Sequence, residues 1–298
     1  MMSRPLTALS IRPQHLLKAR QHTLMLGEKT LLMGIVNLTP DSFSKDGCLS
    51  ESNNPSRNVR FAKQLIAQGA DIIDLGAESS RPGASKISVK EELDRLIPTL
   101  VKLVKTIKVP ISVDTYKPQV VQAALDAGAG IINNIQGVQL NKSLVKMIYD
   151  CQAAIVLMHM RGNSQTMQKK THYKNLLKEI LQELRPSLEK CLEMGIKKNR
   201  IIIDPGLGFA KTATQNLEIL RNLYQLYQFG CPVLIGPSRK SFIGHVLGKE
   251  IQKRLMGTAA AVSLGVAAGA HIIRVHDVAA MKDVITMSDS IINQKREA

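Results

Sequence analysis

Polar side chains able to hold a flat, nitrogen-rich ring recur at the ends of apolar runs that lie far apart in this chain. Asn37, Asp114, Asn133, Asp204 and the pair Arg274 and His276 close such runs, Met158 and His159 close another, and Glu78 and Lys240 stand just past theirs. Carboxylates and an amide can hydrogen-bond the edge of a planar heterocycle, while Arg81, Lys240, Arg274 and His276 can grip an anionic leaving group. A ring carrying phosphate is the ligand that such a set implies. Any one of these acids alone is explained as well by capping the helix that follows it. All of them together are not.

The runs that carry these residues span 31–38, 71–76, 110–115, 130–135, 153–159, 201–206, 232–238 and 271–277, each short enough for a buried parallel strand. Between them the period changes to that of a helix: Val89, Leu93, Ile97, Leu100, Val101 and Val104 share one face, as do Leu176, Leu177, Ile180, Leu181 and Leu184. Gly69, Gly128 and Gly195 stand where helices should stop, Pro118 near where one starts, and Pro186 where the fifth could kink. Alternation without an internal linker predicts α/β architecture, a single (β/α)8 TIM barrel over 31–295. Residues 1–30 are expected to form an N-terminal extension or hairpin across its bottom. In such a barrel all strands open at one mouth, so strand-end residues converge there.

Composition narrows the classes. With 44% hydrophobic residues but only 3% aromatics and no Trp, the core must come from aliphatic side chains, as in a sheet covered by helices. The net charge of +16 is dispersed, for example over Lys102, Lys105, Lys108, Lys197 and Lys198, and lacks interleaved aromatics; this argues against nucleic-acid binding and suits attraction of anionic substrates. Cys48, Cys151, Cys191 and Cys231 form no Cys-x-x-Cys pair, so neither a zinc site nor a disulfide framework is suggested, and a reducing cytoplasmic setting is expected. Arg4, Arg12, Lys18 and Arg20 precede the first acid, Glu28, in the manner of a transit peptide, but no apolar signal core accompanies them. The Ala- and Gly-rich stretch 256–275 reads as a buried helix followed by a strand, not a membrane span.

Two segments, Met33-Gly-Ile-Val-Asn-Leu-Thr-Pro-Asp-Ser-Phe43 and Glu78-Ser-Ser-Arg-Pro-Gly83, resemble the signatures of dihydropteroate synthases. Matches continue through Ser112-Val-Asp-Thr115, Met158-His-Met160, Asp204-Pro-Gly-Leu-Gly-Phe-Ala-Lys211, Ser238-Arg-Lys-Ser241 and Arg274-Val-His-Asp277. The resemblance implies condensation of a dihydropterin diphosphate with 4-aminobenzoate. It places Asp114, Asn133, Asp204 and Lys240 on the pterin ring, with Met158 and Phe209 as walls. Arg81, Arg274 and His276 are expected on the diphosphate, and Asn37 beside a magnesium ion. Ser80, Pro82, Phe43 and Ser241 are expected around the benzoate. Lys240, Asp114, Asp204 and Asp46 are the implied catalytic groups, and a homodimer on the outer helices the implied assembly. Three places depart from the family pattern: Ser44-Lys-Asp-Gly-Cys48, with Lys45 as an insertion, Asn134 where an acid is usual, and Lys253 where an acid is usual. Lys45, Cys48 and Asn134 keep a non-catalytic paralogue in play, and a pterin-binding methyl-transfer module, which uses a similar barrel and ring pocket, is a second alternative.

Overall fold

The computed structural model describes residues 12–39, 54–81 and 83–293. An antiparallel hairpin, β1 (His15–Ala19) and β2 (His22–Leu26), comes first. Eight strands follow, each inside one of the apolar runs: β3 (Leu31–Asn37), β4 (Ile72–Gly76), β5 (Ile111–Asp114), β6 (Ile131–Asn134), β7 (Ala154–Met158), β8 (Ile201–Asp204), β9 (Leu234–Ile235) and β10 (Ile272–Val275). Helices α1 (Pro55–Ala67), α2 (Val89–Val104), α3 (Pro118–Asp126), α4 (Lys142–Asp150), α5 (Leu176–Glu193), α6 (Ala213–Arg221), α7 (Ser241–Leu247), α8 (Leu255–Ala267) and α9 (Val278–Ile292) fill the intervals. The strands are parallel in the order β8-β7-β6-β5-β4-β3-β10-β9, and a parallel bridge between Ile203 and Val233 joins the two ends. The fold is therefore the expected (β/α)8 barrel. The Ala- and Gly-rich stretch forms α8 and β10, and among the described residues no helix is long and apolar enough to cross a membrane.

The two-residue period of a strand sorts its side chains between inside and outside. Leu32, Val36, Ile73, Leu75, Val113, Ile132, Ile155, Leu157, Ile203, Ile235 and Ile273 belong to the large core beneath the helices. Leu31, Met33, Ile72, Ile131, Ala154, Val156, Ile202, Leu234 and Ile272 form a separate cluster that fills the barrel's interior. Leu17, Ala19 and Leu26 of the hairpin join this inner cluster, so the hairpin closes the N-terminal end. Counting on by two from the inner residues reaches Asp74, Asn133, Met158, Asp204 and Arg274. The same alternation that builds the dry interior thus turns these groups inward above it.

The approach to the hairpin is fixed by buried polar contacts. Arg12 forms an ion pair with Asp289 of α9 at 2.6 Å and donates to the Ala270 carbonyl at 3.0 Å. His271 Nδ1 accepts from the Val233 amide at 3.1 Å and its Nε2 donates to the Pro13 carbonyl at 3.0 Å, an arrangement that requires a neutral ring.

Candidate active site

The helix-cap explanation of the mouth residues fails on inspection. Caps come from residues farther along each loop: Asn141 accepts from the Leu144 amide to start α4, Thr212 forms a capping box with Gln215 to start α6, and α3 has no side-chain cap. The strand-end polar groups are therefore not committed to starting the helices that follow them.

At the deepest level lies a carboxylate pair around one cation. Arg274 Nε donates to Asp74 Oδ2 at 2.7 Å, and its terminal nitrogen lies 2.6 Å from Asp74 and 3.0 Å from Asp114. Asn133 Nδ2 reaches the same Asp74 oxygen at 3.5 Å. One guanidinium thus serves two acids. Burial raises the Asp114 carboxyl above the ordinary range, against the pull of Arg274 and with Asp74 adding repulsion.

The next wall is the buried β8–α6 loop. Asp204 Oδ1 accepts from the Gly206 amide at 2.7 Å, the Gly208 amide donates to Asn216 Oδ1 at 2.7 Å, and Gly206, Gly208 and Ala210 adopt positive φ. Gly206 needs its freedom, since a Cβ there would lie 2.0 Å from the His159 carbonyl oxygen. Lys240 Nζ lies 4.0 Å from the centre of the Phe209 ring, so a cation and a flat apolar face stand together. Burial holds Asp204 up at about 6 and, with Arg274 adding to it, Lys240 down at about 8. Met158 packs with Phe209, Met160, Met167 and Ala210 in a small cluster of its own. Met158→Ala should weaken binding of a flat heterocycle about tenfold and cost roughly 2 kcal/mol of stability, leaving the protein folded. Equal affinity by calorimetry would remove Met158 from the pocket wall.

On the β10 side, His276 Nδ1 lies 3.0 Å from Ser238 Oγ, and its Nε2 lies 3.4 Å from Asn37 Nδ2. Burial, then the charges of Arg274 and Arg239, bring His276 down to about 3, so it stands here as a neutral hydrogen-bonding ring. The segment carrying Lys240 is held from behind: Arg239 forms a two-point ion pair with Asp277, and Arg254 donates to the carbonyls of Arg239 and Lys240 at 3.1 and 3.3 Å. The neighbouring departure, Lys253, is solvent-exposed. Asn134 accepts from the Gln136 amide at 2.8 Å, a turn contact that an aspartate would make equally well. Asn37 offers a neutral oxygen, and among the described residues no three His, Cys, Asp or Glu side chains gather to hold a metal alone. That donor set suits a magnesium ion arriving with a diphosphate, which needs one or two protein oxygens beside phosphate and water.

The β4–α2 loop carries Ser80, half-buried, and Arg81, exposed but close enough to Lys240 to act on its charge. Ser80 and Asp114 line one cavity with Tyr116, Gln136 and Asn163. The loop is tied across the mouth by the Gly83 amide donating to the Ser164 carbonyl at 3.0 Å. Glu78 braces it from below, 2.8 Å from Lys117, which also pairs with Glu92 of α2 at 2.7 Å. Ser241, exposed, opens α7 directly after Lys240. Phe43, Asp46 and Pro82, and with them Lys45 and Cys48, lie outside the described residues. Three groups that the strand-end criterion overlooked are Asp74, one step inside its strand, Arg254, and the Lys211 ammonium.

Three histidines are kept neutral by burial: His159 at about 4, His271 at about 4 and His276 at about 3. A histidine whose folded value lies below 6.5 contributes stability that is complete above 6.5 and is lost as pH falls toward the folded value. The contribution of one ring, read as the difference in urea stability between wild type and His271→Gln, should therefore shrink between about pH 6.5 and 4.5 by on the order of 2 kcal/mol, while neutralisation of Asp204 acts in the opposite direction on both proteins alike. A difference that stays flat across that window would mean that the His271 ring accepts a proton without cost.

This mouth on this barrel is that of a pterin-binding enzyme: the profile of the family described as pterin binding enzymes matches residues 33–276. A dihydropteroate synthase of Synechocystis is 43% identical over 266 residues, covering 89% of this chain and 91% of the relative. Among solved structures, the Xanthomonas albilineans dihydropteroate synthase with 4-aminobenzoic acid superposes with a TM-score of 0.86 at 38% identity, covering 95% of this chain and 100% of that one. The Clostridium difficile enzyme, crystallised in the presence of pteroic acid, gives 0.82 at 41% identity over 90% and 99%. The chain belongs to the dihydropteroate synthase family, and its class of chemistry is that of a transferase.

Proposed function

We propose that the chain joins 6-hydroxymethyl-7,8-dihydropterin diphosphate to 4-aminobenzoate, with the pterin held between Asp204, Asn133, Asp114 and Lys240. The observation that carries this reading is the Lys240 ammonium stacked on Phe209 in one wall with Asp204, facing the Arg274, Asp74 and Asp114 cluster. Asp204 accepts from the ring's amino group and adjacent N–H, and Lys240 donates to the ring carbonyl. Such pairing selects the ring, since each of these buried groups left unpaired costs about 1–3 kcal/mol. The bond between the exocyclic methylene and the diphosphate oxygen breaks, and the diphosphate keeps the electron pair. The arylamine nitrogen then bonds to that carbon and releases a proton to solvent. Arg81, Arg274 and neutral His276 receive the diphosphate, and Asn37 would help hold a magnesium ion, which would supply positive charge against the leaving group. Ser80 and Ser241, with Phe43 and Pro82, take the benzoate, and Asp46 joins the catalytic groups.

The relatives' structures, one with 4-aminobenzoic acid and one obtained in the presence of pteroic acid, support this assignment. A homodimer is supported by exposed apolar side chains on α7, α8 and α9, among them Val246, Leu247, Met256, Leu264, Met287 and Ile291. A reducing cytoplasm suits Cys191 and Cys231, buried free thiols pushed up by burial to about 12 and 11.

Diphosphate release should require both substrates and be abolished by a chelator. Tight pterin binding without dihydropteroate formation would sink the catalytic reading. The dependence of kcat/KM on pH should be bell-shaped, falling below about 6 as Asp204 takes up a proton and above about 8 as Lys240 loses one.

A further inference from the structure

Lys211 is a buried lysine that the reaction as drawn does not use. It is 4% exposed, and its Nζ lies 2.9 Å from the Phe209 carbonyl, 3.5 Å from the His159 carbonyl and 3.0 Å from His159 Nδ1, all neutral acceptors. Such an ammonium costs the fold more than a methionine of similar shape would. It sits directly under the loop that presents Asp204 and Phe209, since a Cβ on Gly206 would come within 3.5 Å of Nζ.

Behind it a chain of contacts runs to the surface. His159 Nε2 lies 3.0 Å from Glu183 Oε2, and Glu183 takes two contacts from Arg161 Nε at 2.9 and 3.1 Å. Arg161 stacks on Tyr173 at 3.8 Å, and the Tyr173 hydroxyl donates to the Ala210 carbonyl at 3.0 Å, back in the same loop. With His159 neutral, its Nε2 hydrogen points to Glu183 and its Nδ1 lone pair to Lys211, so each link fixes the next.

We propose that Lys211 is a positioning residue for the reaction: its ammonium pins the 204–211 loop from beneath and supplies a positive charge that Asp204 faces, while His159 and Glu183 hold that ammonium in register. The inference rests on reading Asp204 as the acceptor for the pterin ring. The charged groups acting on Lys211 are Asp204 and Glu183, which favour its protonated form, and Arg161 and Lys240, which oppose it. Asp204 in turn is acted on by Lys240, Lys211 and Arg274. Burial brings Lys211 down to about 7, so it still carries its proton at about pH 6, where Asp204 titrates, and its loss above about 7 begins the alkaline fall that Lys240 completes.

The test is kcat and KM for the pterin diphosphate, measured from about pH 5 to 9 in wild type, Lys211→Met, Glu183→Gln and Asp204→Asn. Lys211→Met should raise KM about tenfold, change kcat less than about threefold, and move the acid limb of kcat/KM upward by about one pH unit. Glu183→Gln, at the half-exposed end of the chain, should move the limb in the same direction by less. A Lys211 that only stabilised the fold would lower the melting temperature and leave KM and the limb of the folded enzyme in place, and that result overturns the assignment. Should Lys211→Met fail to fold, the limb of Glu183→Gln decides in the same way. If Asp204→Asn also leaves KM and the limb untouched, it is the pterin-pocket reading that has failed. If Asp204→Asn removes the limb while Lys211→Met does not move it, only the role of Lys211 falls.

Discussion

Asp204→Asn should lower kcat/KM for the pterin diphosphate roughly a hundred- to ten-thousand-fold while making the protein more stable. The carboxylate is read as accepting two hydrogen bonds from the ring, each charge-assisted and worth about 1.5–3 kcal/mol. An asparagine keeps the Gly206 contact through its oxygen but turns an NH2 toward a donor. The stability gain has a separate cause. Burial raises Asp204 to about 6, so its ionised form is a burden on the folded state. That burden is absent below the unfolded value of 3.8 and complete above about 6, on the order of 3 kcal/mol at neutral pH. Calorimetric titration with a pterin and urea unfolding at pH 7 would read the two effects independently. A variant that binds normally would end the assignment of Asp204, and one that is less stable would mean that the loop depends on its charge.

Arg274→Met should have the largest effect on the fold itself. It leaves Asp74, fully buried, and Asp114 facing one another without the cation that both contact. Removing one partner of a buried ion pair costs about 3–5 kcal/mol, so the urea midpoint should fall steeply. Adding Asp74→Asn should recover a good part of that loss, because the repulsion disappears with the charge. Additive losses in the double variant would show that Arg274 stabilises by packing alone. On the proposed role of Arg274 at the diphosphate, activity should stay low in both.

Much of the fold was legible because each strand has a strong local signature: four to eight β-branched or apolar residues bounded by Gly, Pro or Asp. The convergence of Asn37, Asp114, Asn133, Met158, Asp204 and Arg274 followed once the strands were placed in a barrel. Asp74, at the middle of β4, escapes a criterion confined to the last residue of each run, although parity counted from Ile72 turns it inward. The bracing of Glu78 by Lys117 and Glu92 joins three loops that have no fixed spacing, so no local pattern announces it. Charge states were likewise hidden: a histidine of ordinary pKa changes charge near neutrality, and it is burial beside Arg274 and Arg239 that keeps His276 neutral well into acid. Arg239 and Arg254 look alike in the sequence, yet one is spent on Asp277 and the other on the carbonyls beneath Lys240.

The hairpin at the base has a bearing on traffic. With Leu17, Ala19 and Leu26 packed into the inner cluster, the described residues make the barrel a cul-de-sac, closed at its base and open at the mouth. On the proposed assignment, whatever rests against Asp204 and Lys240 arrives before, and departs after, anything lodged among the loops above, so the queue at the entrance is ordered by depth.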